Sequence, residues 1–266
     1  MEFDLFIILL LLILGFIAGS ISVICGIGGG VFFVSFMTLI LAIPIDIAID
    51  TSVFMILVSS AAGFITYYRD GKIHLKSMMI FGFFSILGGL SCMLLFIFVK
   101  IDNTLLKILF ASTLLIAGLN MIKKALDSRK NINGSELIDK DYSVKDHDYK
   151  SNLPKTVPLF FLAGFTAYLL GIGGGIINIP VLNIILGYPI HNATAISTGI
   201  IFLTAISNTI FKAIFGQINY IVGIIIVVGS IFGAIFGAKV SNKMPRMHLQ
   251  FFVAIVLMLL AIRMYF

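Results

Sequence analysis

The sequence predicts an all-α polytopic membrane protein with two homologous repeats, inverted relative to each other, and with glycine-broken helices. Three observations point to this fold class. The composition is too apolar for a soluble domain, the apolar segments form two matching sets, and one glycine motif interrupts both sets. Only 11% of the 266 residues are charged, whereas 60% are hydrophobic. A soluble domain carries roughly 25% charged residues, so these charges could not cover a globular surface.

Ten apolar segments follow one another along the chain, five on each side of a polar stretch. They are 5–25, 31–43, 47–68, 77–99 and 104–122, then 157–170, 176–187, 193–215, 218–238 and 249–266. A membrane span needs about 20 residues, so 31–43 and 176–187 suit half-helices. The predicted organisation is a first transmembrane repeat at 1–122, a polar cytoplasmic loop at 123–155 and a second repeat at 156–266.

The two halves are related by a constant shift. Gly171 follows Gly26 by 145 positions (171 − 26 = 145). Without any gap, the same shift pairs Gly28 with Gly173, Gly30 with Gly175, Pro44 with Pro189, Ala48 with Ala193, Ser52 with Ser197, Gly71 with Gly216 and Gly88 with Gly233. Internal repeats of this kind are a signature of many transporter folds.

The charged loops predict that the second repeat is inverted. Short loops rich in lysine and arginine face the cytoplasm, and here they lie at 69–76, 123–130 and 239–246. The start of the chain and the 44–50 turn carry acids and no base, which places them outside. The basic loops can all be cytoplasmic, with the acidic parts outside, only if the first two segments of each half together cross the membrane an even number of times. Each half then makes an odd number of crossings, and the second half is inverted relative to the first. A single-crossing first segment would instead give eight helices and parallel repeats.

A glycine motif breaks the chain at the same place in each half. It reads CGIGGGVFFV at 25–34 and LGIGGGIINI at 170–179. Interrupted backbone survives in a membrane only when it is buried in protein or lines a watery cavity. A half-helix that starts there directs unpaired N–H groups and a partial positive charge into the cavity, and helix N-termini bind anions. The alternative is that the glycines only allow close helix packing.

We therefore expect an anion site near the membrane midplane, between the two breaks. Its backbone donors would follow Gly28, Gly29, Gly30, Gly173, Gly174 and Gly175, and its side-chain ligands would be Ser52, Asn178, Ser197, Thr198 and Asn208. The serines and threonines also suit helix–helix contacts, whereas Asn208 and Lys212 are costlier in lipid and favour a cavity. Lys212 could alternatively extend to the membrane interface.

Other classes of function find little support in the residues. The net charge of +6 fits basic cytoplasmic loops, and no basic patch with stacking aromatics indicates a nucleic-acid partner. Cys25 and Cys92 lie in separate apolar segments and the four histidines are scattered, so we expect neither a disulfide framework nor a metal site. We expect no enzyme activity and no cofactor. Asp46, Asp50 and His191 flank the proline turns, where they would cap the interface or couple protons.

The repeated GIGGG, the string from Ala193 to Thr198 after a Tyr-Pro turn, and Gly229, Gly233 and Gly237 in the fourth segment resemble the sulfite exporter TauE/SafE family. The resemblance covers the chain outside 123–155. It implies a duplicated membrane permease that exports sulfite, sulfonates or related organic anions and is coupled to protons. The first half departs from the family pattern at Ser35, where the second half has Pro180, and at Asp50, where the family usually has glycine.

These observations together predict a secondary transporter of small anions. Its expected partners are the anion, the lipid bilayer and protons as the coupling ion, and the chain is compatible with a homo-oligomer. We expect a multi-pass protein of the plasma (inner) membrane. The alternatives are an anion channel and a membrane scaffold protein that transports nothing.

Overall fold

The computed structural model describes residues 5–99, 102–130, 152–240, 255 and 258–264. The regular elements of this described part are helices: α1 (Leu5–Cys25), α2 (Gly30–Leu39), α3 (Ile45–Arg69), α4 (Leu75–Phe98), α5 (Asn103–Lys130), α6 (Leu153–Leu170), α7 (Gly175–Pro180), α8 (Ile190–Phe215) and α9 (Tyr220–Val240). A π-helical turn, Val181–Ile185, continues α7, and residues 258–264 are also helical. The predicted all-α class is confirmed.

Six of these helices, α1, α3, α4, α6, α8 and α9, are long and apolar enough to cross a membrane. The segments Gly30–Leu39 and Gly175–Ile185 are shorter. At 1.5 Å per residue they extend about 15 and 17 Å, roughly half the thickness of a bilayer core. The chain is therefore a multi-pass integral membrane protein with two half-helices, as the short apolar segments predicted.

The structure differs from the sequence prediction at both ends of the predicted loop 123–155. Residues 123–155 were expected to form a loop, but the backbone of α5 stays helical to Lys130 and α6 already begins at Leu153. The reason is local, since Lys, Ala, Leu and Arg in this stretch are good helix formers. Residues 131–151 of the predicted loop lie outside the described residues. Most of the predicted segment 249–266 does too, apart from 255 and 258–264.

Helix starts recur at the 145-residue shift in the structure. The half-helices start at Gly30 and Gly175, and the long helices after them at Ile45 and Ile190. Pro44 and Pro189, at the N-caps of these long helices, share nearly the same backbone angles, with φ −51° and −52° and ψ 142° in both. Proline fixes φ near this value before folding, so both turns are set by the same local chemistry.

Helix α1 packs against α9 at backbone contact distance. Gly229, Gly233 and Gly237 lie against the carbonyl oxygens of Leu12, Phe16 and Ser20, in that order, so the two helices run parallel. Any side chain at these glycines would collide with the backbone of α1, as in the small-residue packing of membrane helices. The equivalent pair, α4 and α6, repeats the contact: Gly88 lies against the Phe161 carbonyl and Gly164 against the Ser85 carbonyl.

The central helices α3 and α8 run antiparallel. Near the start of α3, Thr51 Oγ1 accepts a hydrogen bond of 2.9 Å from the Asn219 backbone N–H, which follows α8. Near the start of α8, Asn192 Nδ2 donates at 3.1 Å to the carbonyl of Lys72, which follows α3. Because α3 and α8 are equivalent under the 145-residue shift, this is the geometry that inverted repeats require. The duplication itself stays a prediction from the sequence.

The helix directions predict which loops share a side of the membrane. Lys76 follows the end of α3, and α9 begins near the start of α3 and ends close to Lys239. After replacement of Cys25 and Cys92, we expect Lys76→Cys and Lys239→Cys to react with an impermeant thiol reagent from the same side. Gln217→Cys should react from the opposite side. Labelling of the two lysine positions from opposite sides would refute the inverted arrangement.

Candidate functional site

The two glycine breaks meet inside the protein at Gly28 and Gly173. Their φ angles are +103° and +88°, in the region that only glycine adopts readily. A Cβ atom built on either residue would lie 3.2 Å from the Cα atom of the other. The predicted juxtaposition of the two breaks is therefore present, and we call this contact the crossing.

Ser52 and Ser197 each place a side-chain hydroxyl against the glycine break of the opposite half. Ser197 Oγ donates a hydrogen bond of 2.9 Å to the Gly26 carbonyl. Ser52 Oγ shares its proton between the Ile49 carbonyl of its own helix at 2.7 Å and the Gly171 carbonyl at 3.0 Å. Both serines are fully buried. In this conformation each hydroxyl is directed to the break of the opposite half. Of the other predicted ligands, Thr198 donates within its own helix, to the Thr194 carbonyl at 2.9 Å.

Both half-helices begin at the crossing. Gly29 and Gly174 are their N-caps, with φ of +68° and +78°, and no described side chain donates or accepts a capping hydrogen bond at either helix start. The first turns also lack acidic residues. Such helix starts carry a partial positive charge and N–H groups without helical partners. This part of the expectation agrees with the structure.

The expected watery pocket between the breaks is absent from the described residues in this conformation. Gly30 lies against the carbonyl oxygen of Gly171, and Gly175 against that of Gly26, so carbonyl groups occupy the space. The cavity beside the crossing measures only about 10 Å³, and its lining includes Gly173, Thr204 and Asn208. That is room for about one water molecule. The crossing is closed, and here the glycines permit close packing.

Two predicted ligands are buried with unpaired polar atoms. Asn178 has no exposed surface, and neither its Nδ2 nor its Oδ1 has a hydrogen-bond partner among the residues that the structure describes. Asn208 is 2% exposed, and its Oδ1 is unpaired within the same described part of the chain. A buried polar group without a partner costs roughly 1–3 kcal/mol. Such a cost is expected of side chains that bind a ligand or water in another state of the protein.

Lys212 is buried near the C-terminal end of α8. Its side chain is 6% exposed, and Nζ lies 2.5 Å from Asp50 Oδ1. Nζ also faces the rings of Tyr168 and Phe96, 4.4 and 5.3 Å from their centroids. A charged side chain buried within a membrane protein is costly unless it is paired, and the carboxylate and the two rings offset that cost.

The ion pair between Lys212 and Asp50 was not predicted from the sequence, where Asp50 was expected to cap the interface or couple protons. The available signal was that opposite charges within membrane helices tend to pair with one another. The other turn residues, Asp46 and His191, each have one buried atom, Oδ1 and Nδ1, without a hydrogen bond to any described residue.

Six apolar spans around two crossed, discontinuous helices define a multi-pass membrane protein built like a transporter. A family model described as sulfite exporter TauE/SafE matches residues 11–264, and the chain belongs to this family. It is 29% identical to the probable membrane transporter protein MJ0441 of Methanocaldococcus jannaschii, over 97% of this chain and 95% of the relative.

Two relatives from Bacillus subtilis carry the same description. The probable membrane transporter proteins YunE and YdhB are 26% and 27% identical to this chain. The YunE match covers 94% of both chains, and the YdhB match covers 92% of this chain and 93% of the relative. No solved structure matches the chain. The family and the relatives indicate a membrane transporter rather than an enzyme.

Proposed function

We propose that this protein is a secondary transporter that exports small anions such as sulfite, sulfonates or related sulfur-containing or organic anions. The family description names sulfite export, and the relatives are described as probable membrane transporters. The single observation that carries the proposal is Asn178, three residues after the uncapped start of α7, whose buried side-chain amide has no partner in the described part of the chain. An amide N–H₂ can donate to an oxyanion without adding charge.

In this proposal the structure corresponds to the closed state of the site. Opening requires the crossing to separate, which removes the Gly171 and Gly26 carbonyls from the starts of the half-helices. The N–H groups after Gly28–Gly30 and Gly173–Gly175 then become available to an anion, and Ser52, Ser197, Thr198, Asn178 and Asn208 lie on the same elements. Binding at discontinuous helices, followed by movement of one half against the other, is a recurrent transporter mechanism.

We further propose that transport is coupled to protons, in the plasma (inner) membrane. Purified protein in proteoliposomes tests both the function and the coupling, with a panel of labelled sulfite, sulfate, an alkyl sulfonate and a carboxylate. We expect saturable flux of at least one sulfur-containing anion, and a faster flux under an imposed proton gradient. Flux that rises linearly with concentration supports the channel alternative. No flux of any panel anion above that of empty liposomes contradicts the proposal.

A further inference from the structure

A second cavity, of about 370 Å³, lies where α3 begins and α8 ends. Its charged lining consists of Asp46, Asp50 and Lys212, and most of the remaining lining is apolar, including Phe96 and Leu106. This is the end of the protein that carries the acidic 44–50 turn, which the charge pattern predicts to be external. Lys212 is the one cation among the described lining residues, so an anion in this cavity would meet it.

The ammonium group of Lys212 is suited to exchange one anion for another. It has three N–H donors, and the described carboxylate partner is Asp50 at 2.5 Å. The faces of Tyr168 and Phe96 hold the ammonium from other directions. Ring faces attract a cation but cannot satisfy its N–H groups as an oxyanion does.

Asp50 keeps a hydrogen-bond donor if Lys212 turns to another anion. The Gln217 backbone N–H donates to Asp50 Oδ2 at 2.9 Å, while Lys212 lies at Oδ1. The Asp50 carboxylate is therefore held at the C-terminal end of α8 independently of the lysine. Exchange at Lys212 would leave Asp50 partly satisfied rather than buried without any partner.

The fold does not require this ion pair. At the equivalent position of the first half, 145 residues earlier, Lys212 is replaced by Tyr67, whose hydroxyl donates to the Val23 carbonyl at 3.0 Å. The equivalent of Asp50 is Ala195. The other half therefore fills the same place with a neutral side chain that is hydrogen-bonded to the backbone. The charge pair is a property of one end of the molecule.

We infer that the 370 Å³ cavity is a second anion subsite, where a small oxyanion binds Lys212 in place of the Asp50 carboxylate and Asp50 later displaces it. The inference rests on the proposed function, because the subsite would be a further binding position on the transport path of the same anion. On α8, Asn208 and Thr204 lie one and two turns from Lys212 towards the crossing, about 6 Å per step. Both line the 10 Å³ cavity beside Gly173, so the subsite leads to the closed crossing.

Sulfite flux in proteoliposomes tests the exchange, with the half-saturating concentration as the readout. Asp50→Asn removes the competing carboxylate, and we expect a half-saturating concentration about tenfold lower. Asp46→Asn is the matched control, because it removes the same charge from the same cavity but not from Lys212. Its effect should stay below about threefold. Equal changes in the half-saturating concentration for Asp50→Asn and Asp46→Asn would overturn the inference.

The lysine variants complete a double-mutant cycle. Lys212→Gln should raise the half-saturating concentration about tenfold or more, whereas Lys212→Arg, which keeps the charge, should restore most of the affinity. Because Lys212→Gln leaves Asp50 without its cation, the double variant Asp50→Asn/Lys212→Gln provides a neutral pair that folds more readily. It should bind sulfite as weakly as Lys212→Gln alone.

The outcomes separate the subsite from the function. If Asp50→Asn lowers the half-saturating concentration of sulfite in the Lys212→Gln background as well, the subsite inference is overturned. So would saturable wild-type flux that none of these variants alters, which would leave the proposed transport function standing. Wild-type protein without sulfite flux would overturn both.

Discussion

Gly28→Ala is expected to lower anion flux at least tenfold while the protein still inserts into the membrane. Its Cβ atom would lie 2.8 Å from the Ile172 carbonyl oxygen and 3.2 Å from the Gly173 Cα atom. The φ of +103° adds backbone strain of roughly 1–3 kcal/mol for a residue with a side chain. The two breaks could then no longer approach each other, and the closed state that transport must pass through would be lost. Flux of labelled sulfite and the yield of folded protein are measured together.

Gly71→Ala provides the matched control. Gly71 also has a positive φ, +68°, but nothing lies within 4 Å of the Cβ that would be added. The substitution should therefore lower the free energy of unfolding by about 1–2 kcal/mol and leave the flux close to that of the wild type. If Gly71→Ala loses as much flux as Gly28→Ala, backbone strain rather than the crossing explains the effect.

Asn178→Leu is expected to stabilise the protein and abolish transport. Leucine has the same number of side-chain heavy atoms in the same branched arrangement and no polar atoms, so the substitution removes two buried groups that find no hydrogen-bond partner among the described residues. The predicted gain is about 1–3 kcal/mol in the free energy of unfolding, visible as a higher Tm in detergent. Transport should fall to background because the proposed anion donor is gone. Opposed effects on stability and activity would identify a functional rather than a structural asparagine.

Asn183→Leu makes the same chemical change on the same half-helix. Asn183 Nδ2 donates to the Tyr188 carbonyl at 2.8 Å, so this variant should lose about 1 kcal/mol of stability. The sign of the stability change should thus differ between the two asparagines. An Asn178→Leu protein that is less stable than the wild type and transports normally would contradict the assigned role.

The sequence predicted the elements that follow from local chemistry. The GIGGG motifs, with glycines that later take positive φ, located both half-helix starts, and Pro44 and Pro189 located the starts of α3 and α8. The constant shift also brought Gly28 and Gly173 into correspondence before any contact was known. These features depend on residue type and spacing, which a sequence carries directly.

The features that the sequence did not predict depend on distances between elements. Whether Ser52 and Ser197 face a ligand or the opposite backbone is decided by the approach of the two breaks, and the structure shows them bonded to the Gly171 and Gly26 carbonyls. The closure of the crossing depends on the same approach. The pairing of Lys212 with Asp50 joins two helices far apart in the chain, so spacing alone could not reveal it.

Position 201 gives the most direct test of whether the crossing opens to water and admits an anion. The Ile201 side chain is 1% exposed and lies against both Gly28 and Gly173. In protein lacking Cys25 and Cys92, the measurement is the rate at which an impermeant thiol reagent modifies Ile201→Cys. Modification should be slow without anion and faster when a transported alkyl sulfonate, which does not consume the thiol reagent, is supplied. A variant that transports this anion while position 201 stays unmodified would show that the crossing does not open to water.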